Sequence, residues 1–591
     1  MSLNLLLNKI RQTAPFALLI MVSAAVAQDA RNTNIPNTDT HFTMPSYPTL
    51  ADWEARKSVL KQQILFSAGL DPMPEKSPLH PQIFGRIDAK DYTIEKVLLE
   101  TLPGYYLGGN LYRPKGRTGK VPAIATPHGH WTYGRLEHTP LGSIPARCIN
   151  LARQGYVVLA YDMVGYNDTV QTPHAFGGRA EQLWGFGPLG LQLWNSIRVV
   201  DFLASLEDVD PARIGATGAS GGGTQTFLLA AVDDRIQFDA PVNMVSAIMQ
   251  GGSPCENAPG LRVGAFNVEF AAMMAPRLML LVSATGDWTR NMLKEEYPAI
   301  RKIYELYDRV ANVEAVQIDA PHNYNQDSRE AVYSFFARKL LQDEDGRRYK
   351  EQSIRLEKLQ DMLALHRRTL PGGALSYDAL FAQWKRNAAS QVDGIQDKSI
   401  RKRLLQQALG AEWPAQVSDQ ISGDQVVLSR PGVGDRLPGR WFPGQGKPVL
   451  VVHELGAVAA LASAELTHAR AEGRPVLAID AFQTGSAKAD RNRSHSHFLT
   501  FNRSDDALKA QDILTALSWL EAKTGQRPEL IGLEAGAVWA RFAAAIAPGT
   551  VPLQAATTFR GTDQEFERTF QVPGIQRAGG WKSALLLTAG E

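Results

Sequence analysis

Short apolar segments alternate with amphipathic ones through the first half of the chain. The strand-like segments are 121–126, 156–161, 213–217, 236–243, 278–283 and 313–319. The spacing of Leu193, Ile197 and Val200 predicts a helix over 190–207. Other predicted helices are 51–69, a segment directly after residue 220, and 327–341. Apolar strands that alternate with helices are typical of a mostly parallel sheet covered on both faces, so an α/β fold is expected.

The second half repeats this alternation. Residues 345–415 are charged and helical in pattern, with a break at 371–373, and strand-like segments return at 449–452 and 475–479. The strand at 449–452 leads into His453-Glu454, much as 121–126 leads into His128-Gly129-His130. We therefore predict a second, tandem copy of the same unit. The expected domains are 28–345, a helical connector at 346–440, and 441–591.

The first 27 residues have the pattern of a secretory signal. Lys9 and Arg11 form a basic head, and the apolar stretch 14–27 ends in Ala25-Val26-Ala27. The stretch is shorter than the roughly 20 residues that span a bilayer. We expect export to the periplasm or beyond, without a membrane span, and a disordered or loosely draped lead-in at 28–50.

Composition narrows the class of protein without naming a partner. Of the 591 residues, 44% are hydrophobic and 21% charged, as in soluble globular proteins. The 62 basic and 60 acidic residues give a formal charge of +2, and Lys9 and Arg11, with no acid in 1–27, account for all of it. A balanced remainder gives no electrostatic reason to expect nucleic acid or anionic lipid as a partner.

The two cysteines and the nearby histidines do not form a recognisable metal motif. Cys148 and Cys255 could pair in an oxidising compartment, although the helix-like surroundings of Cys148 favour a buried free thiol. His128 and His130 lie two positions apart, but no further ligand is close to them in the sequence. No metal and no cofactor are expected.

A candidate nucleophile lies at the end of the third predicted strand. Gly218-Ala219-Ser220-Gly221-Gly222 matches G-x-S-x-G, with a strand before it and a helix after it. A sharp strand-to-helix turn needs small neighbours and projects the serine hydroxyl above the sheet. Ser220 is therefore predicted to be the nucleophile of a serine hydrolase.

The acid and the base are expected on later strand ends, in the order serine, acid, histidine. Asp287 follows the strand at 278–283, and His322 follows the strand at 313–319. His322 would take and return the serine proton, while Asp287 holds its tautomer. Asp319 and then Asp162 are the rival acids. The oxyanion donors are predicted to be the backbone N–H groups of Gly221 and His130.

With these residues in view, the segment from about 50 to 341 resembles bacterial α/β-hydrolases of the acetyl xylan esterase and dienelactone-hydrolase-like group. The matching stretches are Leu102-Pro103-Gly104-Tyr105-Tyr106, Pro127-His128-Gly129-His130-Trp131, Tyr161-Asp162-Met163-Val164-Gly165-Tyr166, Gly218-Ala219-Ser220-Gly221-Gly222-Gly223, Thr285-Gly286-Asp287-Trp288-Thr289 and Pro321-His322-Asn323-Tyr324. The resemblance implies hydrolysis of esters, often on acylated plant polysaccharide.

The resemblance also suggests which residues surround the substrate. It implies that the loop 255–260 lies near the site, although a plain Pro/Gly turn is the alternative. The candidate pocket residues are Trp131, Glu256, Asn257 and Trp288. Glucuronoyl esterases carry an arginine directly after the nucleophile, and Gly221 stands there instead. An acidic-sugar ester is thus less favoured, unless Arg262 substitutes.

The second copy lacks the expected chemistry. Gly532-Leu533-Glu534-Ala535-Gly536 keeps the turn glycines but has Glu534 in place of serine. A strand is predicted at 584–588, no histidine follows it, and His495 and His497 are interpreted as solvated loop residues. We therefore expect a degenerate docking or binding domain. A chain ending near residue 345 is expected to retain ester cleavage but to lose stability or substrate range.

Two other functions remain open from the sequence. A serine peptidase would share the mechanism, and a non-catalytic carbohydrate-binding protein would fit the second copy but not the first. The expected substrate is a small-molecule or polysaccharide ester. The sequence indicates neither the acyl group, nor the alcohol, nor the oligomeric state.

Overall fold

The computed structural model describes residues 28–343 and 349–589, so the predicted signal at 1–27 lies outside the described residues. The first domain is built on a nine-stranded sheet. Its strands are β1 (Gln82–Asp88), β2 (Tyr92–Leu102), β3 (Tyr105–Pro114), β4 (Val121–Pro127), β5 (Val157–Tyr161), β6 (Val209–Ala219), β7 (Ile236–Val242), β8 (Leu278–Gly286) and β9 (Val313–Pro321).

The strand order is β1-β2-β3-β5-β4-β6-β7-β8-β9. The pairs β1/β2, β2/β3 and β3/β5 are antiparallel, and the remaining pairs are parallel. The carboxyl ends of β6, β8 and β9 therefore meet at one edge of the sheet. The predicted α/β fold is confirmed.

Helices cover both faces of this sheet, and apolar side chains fill the layers between them. The helices of residues 28–343 are α1 (Ala30–Thr33), α2 (Leu50–Ser67), α3 (Ile144–Gln154), α4 (Arg179–Leu183), α5 (Pro188–Ser205), α6 (Gly221–Val232), α7 (Asn267–Ala272), α8 (Glu296–Leu306) and α9 (Gln326–Leu340). Of these, α1 and α4 pack against the second domain. Helix α2 begins with a capping box in which Thr49 and Asp52 each accept the other's backbone N–H.

The second domain contains a seven-stranded sheet. Its strands are β10 (Ser418–Ser422), β11 (Gln425–Ser429), β12 (Leu437–Phe442), β13 (Val449–His453), β14 (Val476–Ile479), β15 (Glu529–Leu533) and β16 (Leu553–Gln554). The helices of the connector and this domain are α10 (Leu359–Met362), α11 (Tyr377–Asp393), α12 (Lys398–Leu409), α13 (Ala457–Leu461), α14 (Ala464–Ala471), α15 (Phe498–Phe501), α16 (Asp505–Thr524), α17 (Gly536–Ile546), α18 (Asp563–Thr569) and α19 (Gly580–Thr588).

The two sheets share one topology. The second has the order β10-β11-β12-β14-β13-β15-β16, with an antiparallel hairpin edge followed by parallel strands. This order matches the first sheet from β1 to β7, strand for strand. Within the described residues, nothing in the second sheet corresponds to β8 and β9. In the first domain, Asp287 and His322 directly follow these two strands.

Three details differ from the sequence analysis. The second sheet begins at residue 418, before the expected boundary at 441, because 418–442 forms its hairpin edge. Residues 584–588 belong to helix α19 and not to a strand. The lead-in is not loosely draped, since Arg31 forms an ion pair with the buried Asp512 of the second domain.

The seam between the domains is a packed, hydrogen-bonded interface. Phe66 and Leu183 of the first domain belong to the apolar core of the second. The N–H of Gly260 donates to the carbonyl oxygen of Leu499 at 2.7 Å, and that of Arg262 to Thr500 at 2.9 Å. The second domain therefore holds the far end of the loop 255–262.

Two further observations concern the expected compartment and cysteines. Across 28–343 and 349–589, no helix combines the length and apolar character that crossing a membrane requires. Cys148 and Cys255 are both buried free thiols and form no disulfide.

Candidate active site

Ser220 occupies a strained turn between β6 and α6. Its φ of +58° lies in a region that non-glycine residues rarely adopt. A Cβ on Gly218 would lie 2.4 Å from the carbonyl oxygen of Pro127, and a Cβ on Gly222 would lie 2.6 Å from the same oxygen. Only glycine fits these two positions, so the sequence around Ser220 permits the sharp turn.

His322 and Asp287 form a hydrogen-bonded pair at the neighbouring strand ends. Nδ1 of His322 lies 2.7 Å from Oδ2 of Asp287. The Asp287 side chain is 2% exposed, and its other oxygen accepts the N–H and the hydroxyl of Thr289. A carboxylate fixed on both oxygens holds the imidazole in the tautomer that leaves Nε2 with a lone pair.

The second nitrogen of His322 has no hydrogen-bond partner within 28–343 and 349–589. Nε2 is buried and forms no hydrogen bond with any described residue, Ser220 included. The Trp288 ring packs on the imidazole with its centroid 4.3 Å away. Hydrogen bonds between base and nucleophile are often longer without substrate than in the reacting complex.

The two rival acids are engaged elsewhere. Asp319 is exposed and accepts the hydroxyl of Thr285 at 2.6 Å. Asp162 is fully buried and pairs with Arg135, which also pairs with Asp168. Burial raises the pKa of Asp162 to about 6 despite Arg135. Neither acid contacts His322.

The residues expected to supply oxyanion donors lie beside Ser220. A Cβ on Gly129 would lie 3.1 Å from Cβ of Ser220, and a Cβ on Gly221 would lie 2.6 Å from Cε1 of His130. Gly221 is the first residue of α6, where backbone N–H groups lack a partner inside the helix. The chain thus brings Gly129 against Ser220 and the His130 ring against Gly221.

The loop 255–260 does lie at the site. Sγ of Cys255 is 3.1 Å from Nε2 of His130. Glu256 accepts the N–H groups of Gly252 and Ser253 and, at 3.3 Å, the hydroxyl of Thr224 on α6. Burial and the adjacent Glu256 raise the pKa of the Cys255 thiol well above its ordinary value.

The four candidate pocket residues divide into two pairs. Trp288 packs on His322, and Nε1 of Trp131 would lie 3.3 Å from a Cβ on Gly129, next to Ser220. Glu256 and Asn257 instead use their side chains to hold their own loop.

Arg262 does not reach a substrate position. It is fully buried, and its guanidinium donates to the Glu256 carbonyl, to Asn257 and to Asn267. Burial lowers its pKa to about 9. It therefore stabilises the loop and does not replace the arginine that glucuronoyl esterases carry after the nucleophile.

His174 is a residue of this site that the sequence analysis missed. Its ring meets the His130 ring edge to face, with centroids 5.1 Å apart, and its Nδ1 donates to the carbonyl oxygen of Val164 at 2.8 Å. It comes from a loop distant in sequence from both His130 and Cys255. No local motif marks it.

The equivalent turn in the second domain keeps its shape. Glu534 has a φ of +52°, and a Cβ on Gly536 would lie 2.6 Å from the carbonyl oxygen of Val452. Glu534 is exposed. Nε2 of His497 lies 3.3 Å from the carbonyl oxygen of Gly252 in the first domain, so this histidine belongs to the seam rather than to the Glu534 turn.

A mostly parallel sheet with a strained serine turn and a histidine–carboxylate pair at its strand ends defines an α/β-hydrolase. The sequence profile of the acetyl xylan esterase (AXE1) family matches residues 86–244. The solved structure of Methylesterase BT1017 is 32% identical, with a TM-score of 0.50, over 59% of this chain and 78% of that one.

Two curated relatives match shorter segments. YtaP of Bacillus subtilis (strain 168), named only as a hydrolase, is 29% identical over 180 residues, 28% of this chain and 58% of its own. Polyketide transferase claH of Penicillium crustosum is 31% identical over 146 residues, 24% of this chain and 42% of its own. The chain spans about half the length of these relatives. It belongs to the acetyl xylan esterase-like group of α/β-hydrolases.

Proposed function

We propose that this protein is an exported serine esterase that cleaves carboxylic esters of carbohydrates, such as acetyl esters, through an acyl-enzyme. The observation that carries the proposal is the 2.7 Å contact between His322 Nδ1 and Asp287 Oδ2. These residues follow β9 and β8, which lie three and two strands along the sheet from β6 and its Ser220 turn. The family membership of the chain supports the same reaction class.

The mechanism follows from the chemistry of these groups. A serine hydroxyl attacks an ester carbonyl only when a base removes its proton, and Nε2 of His322 is the unpaired nitrogen available for that step. The imidazolium that forms is stabilised by Asp287 and returns its proton to the leaving alcohol. Water then attacks the acyl-enzyme by the same route, which regenerates Ser220 and releases the acid.

The developing oxyanion requires preorganised donors. We assign this role to the backbone N–H groups of Gly221, which directly follows Ser220, and of His130, whose ring lies against Gly221. Removal of one such donor typically lowers kcat by 10²–10³-fold, so these two N–H groups would account for a large part of the rate enhancement.

A large cavity at the seam suggests where the rest of the substrate binds. It has a volume of about 690 Å³ and is lined from both domains. Its walls include Phe176, Arg179, Asn257, Arg493 and Phe498. Asn257 lies two positions after Cys255, which contacts His130, so one loop borders both the cavity and the site, although none of Ser220, His130, Asp287 and His322 lines the cavity. We infer that the second domain is a degenerate hydrolase that serves as a wall for an extended carbohydrate.

A comparison of ester and peptide substrates tests the reaction class. We expect purified mature protein to hydrolyse p-nitrophenyl acetate and acetylated sugars and to leave chromogenic peptides intact. Cleavage of peptides alone would replace the proposal with a serine peptidase. No turnover of either substrate would favour a non-catalytic binding protein.

Export has its own test. We expect the N-terminal residue of protein recovered from the periplasm or medium of a bacterial host to be Gln28, directly after the Ala25-Val26-Ala27 sequence. Recovery of an uncleaved chain from the cytoplasm alone would contradict it.

A further inference from the structure

Three side chains of metal-binding type meet beside Ser220, and we call them the His–His–Cys cluster. His130 follows β4, His174 lies in the loop after β5, and Cys255 lies in the loop after β7. One ligand atom from each lies within 4.8 Å of those of the other two. Nε2 of His130 and Sγ of Cys255 are 3.1 Å apart.

The ring of His174 is oriented as a metal ligand would be. Its Nδ1 donates to the carbonyl oxygen of Val164 at 2.8 Å, which places the lone pair of the neutral ring on Nε2. That nitrogen is buried and has no hydrogen-bond partner among the described residues. Histidines that bind metals usually donate their second N–H to a carbonyl or carboxylate, which fixes the tautomer and the ring.

His128 provides an internal contrast. Its Nε2 accepts the N–H of Met163 at 3.0 Å, and its Nδ1 lies 2.7 Å from the carbonyl oxygen of Gly129. Both nitrogens of His128 are therefore used by the fold. The sequence offers His128 and His130 as a possible ligand pair and predicts no metal, because no carboxylate or further histidine is close to them in the sequence. Cys255 lies 125 positions from His130.

The donor set selects one kind of ion. Two imidazoles and one thiolate suit Zn²⁺ and its transition-metal neighbours, whereas Ca²⁺ and Mg²⁺ prefer oxygen ligands. Tetrahedral zinc would hold these atoms roughly 3.3–3.6 Å apart, so side-chain movements of about 1 Å would form the site. Three protein ligands leave a fourth position for water.

We propose that His130, His174 and Cys255 bind a single thiophilic divalent transition-metal ion, with Zn²⁺ as the best match. On binding, the Cys255 S–H bond breaks, its proton leaves to solvent, and the sulfur forms a bond to the ion as metal-bound waters are released. The ion would lie against the His130 ring, which covers Gly221. The proposal is independent of whether Ser220 cleaves esters.

Cobalt binding to the full mature chain tests this site by spectroscopy. We expect chelator-treated protein to bind one Co²⁺ per chain and to show a near-ultraviolet thiolate-to-cobalt absorption together with tetrahedral visible bands. Zn²⁺ should displace both signals. Cys255→Ser should abolish the thiolate absorption. His174→Ala should weaken cobalt binding by roughly 100-fold, because removing a metal ligand lowers the affinity more than removing a side chain that only supports a ligand.

Cys148→Ser is the matched control, because Cys148 is the other buried free thiol and lies outside the cluster. This variant should bind cobalt as the unmodified protein does. Circular dichroism establishes that each variant is folded, and a Zn²⁺-induced rise in Tm that Cys255→Ala lacks provides a second readout. The proposal is overturned if no thiolate absorption appears with Co²⁺, if Cys255→Ser retains it, or if Cys148→Ser removes it.

Discussion

At the scale of single residues, the account depends on the orientation of one imidazole. Asp287 is buried, bonded on both oxygens and 2.7 Å from Nδ1 of His322. This arrangement leaves Nε2 as the basic nitrogen. In the proposed mechanism the carboxylate selects a tautomer and stabilises positive charge, and it takes no proton itself.

Replacement of this carboxylate tests that role. We expect Asp287→Asn to lower kcat on p-nitrophenyl acetate by about 10⁴-fold with little change in KM, because an amide favours the wrong imidazole tautomer. Asp319→Asn, which alters the exposed rival acid, should retain nearly full activity. Equal losses in the two variants would show that the acid has been misassigned.

The positions of these residues at neighbouring strand ends could be predicted from the sequence, because each lies directly after an apolar strand. Ser220, Asp287 and His322 are marked by local patterns, and strand order then brings them to one edge. His174 has no such mark, since its partners Val164, His130 and Cys255 come from other parts of the chain. Contacts of this kind depend on loop packing, which periodicity does not encode.

At the scale of elements, the two domains share one sheet topology but differ in the number of strands. Both sheets share the order of their first seven strands, and both keep the strained turn, at Ser220 and at Glu534. The described part of the second sheet stops at β16, so it offers no strand end for a histidine. At this site the two domains therefore differ by two strands as well as by Glu534 in place of a serine.

A buried carboxyl on β7 gives the first sheet a distinctive pH dependence. Asp239 is fully buried, neither of its oxygens has a hydrogen-bond partner in the part of the chain that the structure describes, and burial raises its pKa well above the ordinary value. The folded state therefore keeps a proton that the unfolded state releases. The contribution of Asp239 to stability is therefore greatest at low pH and falls as pH rises from about 4 towards the folded pKa, by about 1.4 kcal/mol per pH unit.

Asp239→Asn removes this titration. Urea unfolding at pH 4.5 and 5.5 should show the variant gaining about 1.4 kcal/mol on the unmodified protein across that interval. Asp234→Asn is the control, since the Asp234 side chain is 76% exposed and should change the pH profile little. Parallel profiles for Asp239→Asn and the unmodified protein would contradict the assignment.

Element boundaries were predictable where apolar periodicity was strong and failed where it was ambiguous. The strands around Ser220 were predicted to within a few residues. The segment 584–588 is apolar enough for a strand, but Trp581 and Ala584 are buried while Leu585 and Leu586 are exposed, which is a helical pattern. The hairpin at 418–429 was missed because β10 is exposed along its whole length.

At the scale of the whole molecule, the seam links the second domain to the site. Main-chain bonds from Gly260 and Arg262 to Leu499 and Thr500 hold the loop that carries Cys255. Helix α11 also packs into the first core through Leu380 and Trp384. A chain ending near residue 345 would lose these contacts, which agrees with the expectation that such a chain loses stability.

The seam cavity makes a prediction about substrate size. Phe498 of the second domain lines it, so Phe498→Ala should raise KM several-fold for acetylated oligosaccharides while leaving KM for p-nitrophenyl acetate unchanged. Val458→Ala changes an exposed apolar residue of the same domain outside the cavity and should affect neither. Equal changes in KM for the small and the large substrates would show that the cavity does not bind the oligosaccharide.

The most direct test of the central claim is covalent capture of Ser220. A fluorophosphonate reacts with a serine only when a neighbouring base activates it, so the mature protein should gain one adduct that peptide mapping places on Ser220. Ser220→Ala should remain unlabelled and lose several orders of magnitude in esterase rate. An unlabelled native protein, or an adduct on a residue other than Ser220, would contradict the account.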